Sequence, residues 1–288
     1  MSVPHGAVVV GVDSGAASTT AVEWAAEEAA RRRAPLHVVH AAGVDTGPFA
    51  PPASVSGMRA RGRTIVHRAV ERVGEARPEV LVGSDVVDQA PGPALRAASV
   101  RAASVRAALV VVGAVGHGRV HDMTVGSVSL ELCYRSASDV VVVRRQEDPA
   151  ARRVVVGVDG SAAGDRALVF AVGIAEGRGV PLTALHCWTR HRPSDLAVAA
   201  VDVGTGVATH ERLLREAIDR CVPASTTVEL DRQVAGARPG AALVEASRHA
   251  ALLVVGARGT GGVAGLHLGS VVRSVLHDAR CPVAVVRR

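Results

Sequence analysis

The sequence contains no lysine and no asparagine, and all 33 of its basic residues are arginine. Codons for both missing residues are A/T-rich, so their absence reports a G+C-rich coding sequence. It also removes some chemistry. Without lysine there is no Walker A phosphate loop, whose lysine reaches the β- and γ-phosphates. Aromatics are scarce at 2%: Trp24, Phe49, Tyr134, Phe170 and Trp188. The core must therefore be built from Val, Leu and Ala, and a bound nucleobase is expected to sit between aliphatic side chains. No two of the four cysteines, Cys133, Cys187, Cys221 and Cys281, form a C-x-x-C pair, which excludes zinc knuckles and dithiol redox motifs. No charge-free apolar run approaches the 18 or so residues of a membrane span. The opening MSVPHGAVVVGVD lacks a basic segment followed by a long apolar one, so it reads as a first strand and not a signal peptide. The cytoplasm is the expected location. The formal charge is +6, but the arginines are dispersed and no DNA- or RNA-binding signature accompanies them, so nucleic acid is not the expected partner.

What is present is a repeat. AVVVGVDSG (7–15) returns as RVVVGVDGS (153–161), and PLHVVHA (35–41) as PLTALHC (181–187). LVVVGAVGHG (109–118) returns as LLVVGARGTG (252–261), and the closing VVVVRR (140–145) as VAVVRR (283–288). The offset is 146 at Asp13/Asp159 and 143 at Gly113/Gly256. Before the fourth strand the first half reads RAASV twice (96–105) and the second half has no such duplication. Five residues turn a helix by about 500°, so the extra unit should lengthen and re-face that helix or bulge from it. Two domains are expected, 1–147 and 152–288, joined near the polar QEDPAAR (146–152).

Each half alternates Val-rich runs with Ala- and Arg-rich helical segments. Strands are expected near 7–13, 35–42, 79–87, 108–113 and 139–144, and near 153–159, 180–188, 225–234, 251–256 and 282–287. Unbroken apolar strands suit a parallel sheet covered on both faces. The β-α alternation with right-handed crossovers gives two tandem doubly wound α/β domains of Rossmann-like type.

Ligands of such sheets bind at the carboxyl ends of strands where the strand order reverses. Two strand ends stand out per half. One carries Asp13 or Asp159. The other runs into Gly113, Gly116 and Gly126-Ser127, or Gly256, Gly259 and Gly269-Ser270, with identical spacing G-x2-G-x9-G-S. Glycine lets backbone N–H donors approach a phosphate, and a Gly-Ser helix start offers free N–H groups and the positive end of the dipole. These eight residues read as phosphate contacts. Their neighbours in the motif, His117, Gly118 and Val128, and Thr260, Gly261 and Val271, complete the candidate sites, and Arg258 reaches toward phosphate. Asp13 and Asp159 read either as ribose or Mg²⁺ ligands or as simple helix caps. His117 and His121 are four apart, but Thr260 and Ala264 stand in their places in the second half, so solvated loop histidines are expected there and no metal site. His40 and His186, on Val-rich strands, read as satisfied core histidines.

The glycine pattern, with V-G-V-D before it and P-V-x-V-V-R at the end, resembles the ATP-binding branch of the universal stress protein family, over nearly the whole chain and in its tandem arrangement. The resemblance implies a five-stranded parallel sheet per domain in the order 3-2-1-4-5. It also implies that Gly11, Asp13 and Ala41, and Gly157, Asp159 and Cys187, hold adenine and ribose. The expected function is a non-catalytic, ATP-binding regulator of the stress response with one site per domain, ATP being bound with Mg²⁺. A homodimer of tandem chains and a further protein partner are compatible with it. A slow ATPase, or a binder of another adenine nucleotide such as cyclic AMP, is the alternative, because the motif reports phosphate and not phosphate count. Hydrolysis needs a group to orient water, and neither glycine loop contains Glu or Gln.

Overall fold

The computed structural model describes residues 3–43, 52–102, 109–115, 125–189, 203–259 and 268–287. The chain divides into two compact units, 1–145 and 146–288. In the first, strands β1 (Val8–Gly11), β2 (Leu36–Ala41), β3 (Val82–Val87), β4 (Leu109–Gly113) and β5 (Asp139–Val143) alternate with helices α1 (Ala16–Arg32), α2 (Pro52–Ala76), α3 (Pro91–Ala102) and α4 (Ser127–Arg135). The second repeats the series with β6 (Arg153–Gly157), β7 (Leu182–Cys187), β8 (Leu230–Ala235), β9 (Ala250–Gly256) and β10 (Val283–Val286). Its helices are α5 (Ala162–Arg178), α6 (Val203–Cys221), α7 (Pro239–Ser247) and α8 (Ser270–Asp278).

The strand order is β3-β2-β1-β4-β5 in one unit and β8-β7-β6-β9-β10 in the other, with parallel pairing throughout each. Both are the 3-2-1-4-5 order that the family resemblance implies. Helices α1 and α2 pack together, as do α3 and α4, and the second unit pairs α5 with α6 and α7 with α8. Two covered faces explain the apolar runs: Val8, Val9 and Val10, and Val140 to Val143, are buried on both sides of the sheet, as are Val283 to Val286.

The first helix of each unit buries alanines at helical spacing. In α1 these are Ala21, Ala25 and Ala29, with Val22 between them. Small side chains let the helix lie close to the sheet, and one glycine on the facing strand makes the approach closer still. A Cβ on Gly113 would stand 2.9 Å from the main chain of Ala17, and one on Gly256 would stand 2.6 Å from the Ala163 carbonyl oxygen. Helix α1 ends on Arg33 and α5 on Gly179, both left-handed with φ of 51° and 61°.

One detail departs from the sequence reading. The segment 146–152, expected as a polar join, is part of the second unit's structure. The Gln146 amide donates to the carbonyls of Ala151 and Ala250, and the Glu147 carboxylate meets Arg248 at 2.7 Å and Arg280 at 3.5 Å. The extra RAASV leaves α3 with 12 residues against 9 in α7, a lengthened helix; residues 103–108 lie outside the described ones. Among the described residues no helix is long and apolar enough to cross a membrane.

The glycines of α5 and β9 should respond oppositely to alanine. Gly256→Ala overpacks the helix–strand contact and should cost about 1–3 kcal/mol. Gly173, exposed inside α5 with nothing within 4 Å of a Cβ, should gain about 0.4–1 kcal/mol as alanine. Urea unfolding of the full chain measures both, and a Gly256→Ala chain as stable as the parent would refute the packing argument.

Candidate functional site

The order reversal places β1 between β2 and β4, and β6 between β7 and β9. At the carboxyl end of each trio lies a cavity, of about 220 Å³ in the first unit and about 650 Å³ in the second. The second falls within the usual range of small-molecule sites. Gly11, Asp13, Ala41, Gly113, Gly126, Ser127 and Val128 all line the first cavity. Gly157, Asp159, Cys187, Gly256, Arg258, Gly259, Gly269, Ser270 and Val271 all line the second. The structure thus gathers residues more than a hundred positions apart. Gly116, His117 and Gly118, and Thr260 and Gly261, lie outside the described residues, as does His121.

The carboxylates are built into the turns that start the first helices. Asp159 Oδ1 accepts from the Ser161 amide at 3.0 Å and from its hydroxyl at 2.6 Å, and Ser161 Oγ in turn accepts from the Gly164 N–H at 3.0 Å, capping α5. Asp13 Oδ1 accepts from the Gly15 amide at 2.8 Å, and the Asp13 amide donates to Ser18 Oγ at 3.0 Å. Neither Asp is itself the helix cap weighed in the sequence: Ser161 caps α5, Gly15 opens α1 with no side-chain cap, and Oδ1 of each Asp accepts within the turn just before the helix. The other oxygen of Asp159 faces the glycine loop, because a Cβ on Gly259 would run into Oδ2. Asp159 thus joins the two strand ends across the cavity.

The phosphate-loop glycines have separate reasons. Gly113 and Gly256 are required by helix packing, as above, whether or not a ligand is bound. Gly126 and Gly269 are extended N-cap residues of α4 and α8 with no side-chain cap. Their amides donate to Ala114 and Ala257 oxygens, at 2.6 and 3.1 Å, fixing each helix start beside β4 or β9. The first intrahelical bonds run from Leu130 N to Gly126 O and from Arg273 N to Gly269 O. The amides of 127–129 and 270–272 thus precede the first intrahelical donor, at the positive end of the dipole and beside the cavity. This is an arrangement for an anion.

His40 and His186 are satisfied as the sequence suggested. Their Nδ1 atoms lie 2.8 and 2.7 Å from the carbonyl oxygens of Val12 and Val158, tying β2 to the end of β1 and β7 to the end of β6. The second cavity also holds residues that sequence reasoning missed. Trp188, one position past Cys187, stacks on His210 of α6 with centroids 4.8 Å apart and planes 17° apart. Arg273 joins Arg258 in the lining. The second cavity is thus not lined by aliphatic side chains alone: few aromatics in the sequence do not mean none here. Trp188 was findable as the residue following β7, but His210 was not, since its place depends on how α6 sets down after a long connection.

A scan against protein-family models matches the universal stress protein family twice, over residues 5–144 and 150–287. Two universal stress proteins of Mycobacterium tuberculosis H37Rv are similar along their length. One is 36% identical, with 99% of this chain and 97% of the relative covered, and the other is 33% identical, with 97% and 96% covered. Among solved structures, a universal stress protein from Archaeoglobus fulgidus shares the fold with a TM-score of 0.71 at 19% identity, covering 98% of this chain and 96% of that one.

Burial pushes the Cys187 thiol up to about 11 from the ordinary range near 9. At pH 8 its thiolate fraction should be about a hundredfold below that of an unshifted thiol, and only the thiolate reacts. Iodoacetamide labelling, followed on the Cys187 peptide by mass spectrometry, should be slower than for free cysteine by that factor and keep rising with pH toward 11. A rate that levels off near pH 9 would contradict the burial.

Proposed function

Since the chain belongs to the universal stress protein family, we propose that it binds ATP, with Mg²⁺, at one site in each half, and that it acts as a regulator rather than a catalyst. The observation that carries this reading is a convergence found twice. An Asp at the first strand's end, a glycine loop at the fourth strand's end and an uncapped Gly-Ser helix start all line one cavity. Ser127 and Ser270, with the amides that follow, would hold phosphate oxygens, and Arg258 and Arg273 would add charge in the second half. Asp13 and Asp159, at the ends of the first strands, would meet ribose hydroxyls or the cation. The contacts on offer are main-chain donors and fixed charges, which suit holding a nucleotide. Binding of this kind stabilises the fold that presents it: ligand at about 100 times Kd adds roughly 2.7 kcal/mol. Occupancy would therefore set the shape offered to a protein partner.

Calorimetry of the full chain with ATP and Mg²⁺ should give up to two sites. Gly259→Asp places a negative charge beside Asp159 and the phosphates and should remove the second site alone. Gly116→Asp should remove the first alone, and the double variant should bind none, with folding checked by circular dichroism. Losing one charged hydrogen bond of about 1.5–3 kcal/mol is already about tenfold to a hundredfold in affinity. A folded double variant that binds ATP like the parent would leave these glycines as turn and packing residues only. Cyclic AMP and AMP belong in the same titration, because tighter binding of either would replace ATP as the ligand.

A further inference from the structure

The second cavity has two ends of different chemistry. At the β9 side lie Gly259, the start of α8 and the two arginines. At the β7 side lie Trp188 and His210. A nucleotide whose phosphates sit at the α8 start spans β6 and brings its base to Trp188 and His210. This placement rests on the reading of the cavity as a nucleotide site.

The hydrogen bonds there fix which ring nitrogens carry protons. A carbonyl oxygen only accepts, so His186 Nδ1, 2.7 Å from Val158 O, carries the proton. In the neutral imidazole its Nε2 is then a bare acceptor. His210 Nδ1 lies 2.8 Å from that Nε2 and must donate to it. Neutral His210 is left with Nε2 as an acceptor, its last uncommitted polar atom in this chain of bonds. The ring cannot swing easily to offer anything else. One edge is held by the bond to His186, with the two rings within 25° of coplanar, and its face lies against Trp188, centroids 4.8 Å apart and planes 17° apart. Gly206 and Gly236 flank Trp188: a Cβ added at either would stand 3.7 or 4.0 Å from its ring, at ordinary contact distance.

We propose that His210 is a specificity-determining residue of the second site: its Nε2 acceptor selects a purine carrying a 6-amino donor over one carrying a 6-oxo acceptor, with Trp188 as the positioning residue that holds the imidazole plane. A site built to hydrogen-bond one group rejects an analogue that leaves the buried partner unmatched. The first site lacks this device at the corresponding place. There Gly62 of α2 lies against the His40 imidazole, close enough that a Cβ would stand 2.7 Å from Cδ2. The two halves would then read the base differently while holding phosphate in the same way.

The proposal also gives a pH dependence with a definite sign. Burial, and after it the neighbouring His186, hold the His210 imidazole below the usual histidine range. The cavity's other charged or titratable groups are Asp159, Cys187, Arg258 and Arg273. On α5 and β8, which pack against α6, Asp165 and Asp231 are engaged by Arg220 and Arg153. Protonating His210 turns Nε2 from acceptor to donor. Preference for the 6-amino base is therefore full above the imidazole's pKa and is lost as pH falls through it.

The test uses the full chain with Trp24→Phe, so that Trp188 is the remaining tryptophan and its emission reports the second site. ATP and GTP are titrated at pH 8 and at intervals down to pH 5. The ratio of their affinities is the readout, because protonation of the triphosphate is common to both and cancels. At pH 8 ATP should be preferred about tenfold, and the preference should shrink on acidification. His210→Phe keeps a stacked ring without the acceptor and should bring the ratio to within about twofold, with calorimetric ATP stoichiometry unchanged. A full preference in His210→Phe, or a ratio flat from pH 8 to pH 5 in the His210 chain, would overturn the proposal. Absence of any ATP binding by emission and calorimetry would instead overturn the nucleotide reading on which it rests.

Discussion

In each half a helix lies against a strand that has no side chain to hold it away. Gly113 under Ala17 and Gly256 under Ala163 set the distance between the first helix and the fourth strand. That distance places the turn at the end of the first strand directly beside the end of the fourth. Both chemical halves of the candidate site depend on it. With the helix held further out, Asp159 would no longer reach Gly259, and the open start of α8 would face a wider gap. The alanines of α1 and α5 serve the same approach from the helix side, so the low side-chain volume of this sequence is part of the site's construction.

The two copies keep what the main chain needs and differ in what lines the space. Both have the turn Asp, the His bonded to the carbonyl just past the first strand and the extended Gly before the short helix. They part at the walls. By the offset of 143, Arg258 and Arg273 stand where the first half has Val115 and Leu130. Ser129, whose hydroxyl donates to Gly113 O at 2.8 Å, has Val272 as its counterpart. The shared positions hold backbone geometry; of the divergent ones, Arg258 and Arg273 line the second cavity, whereas Ser129 and Val272 are buried.

Much of this was legible in the sequence because it follows from periodicity and spacing. Val-rich runs without alternation are covered strands, and the twice-found glycine spacing picks out Gly113, Gly126 and Ser127, and Gly256, Gly259, Gly269 and Ser270, all of which line the two cavities. The rest required contacts between distant elements. That Gly113 and Gly256 are demanded by a helix cannot be read from a loop motif, since an open loop and a close-packed strand both favour glycine. His210 lies on a helix that follows residues 190–202, a stretch without periodicity to fix the helix's phase. The polar QEDPAAR looked like a tether because Glu147 is charged, yet its partners Arg248 and Arg280 stand far along the chain.

That last feature bears on the order of events during synthesis. Domains fold as units while the ribosome is still at work, the N-terminal one first. The first unit ends at Arg145, and its outermost strand β5 pairs with β4 only some thirty residues earlier, so it has all its own parts as soon as that residue emerges. The second unit opens with residues whose partners are among the last to appear. Glu147 waits 101 residues for Arg248, and longer still for Arg280. Its closing clasp joins the unit's first residues to nearly its last, and a nascent chain cut short anywhere before Arg280 leaves that clasp incomplete.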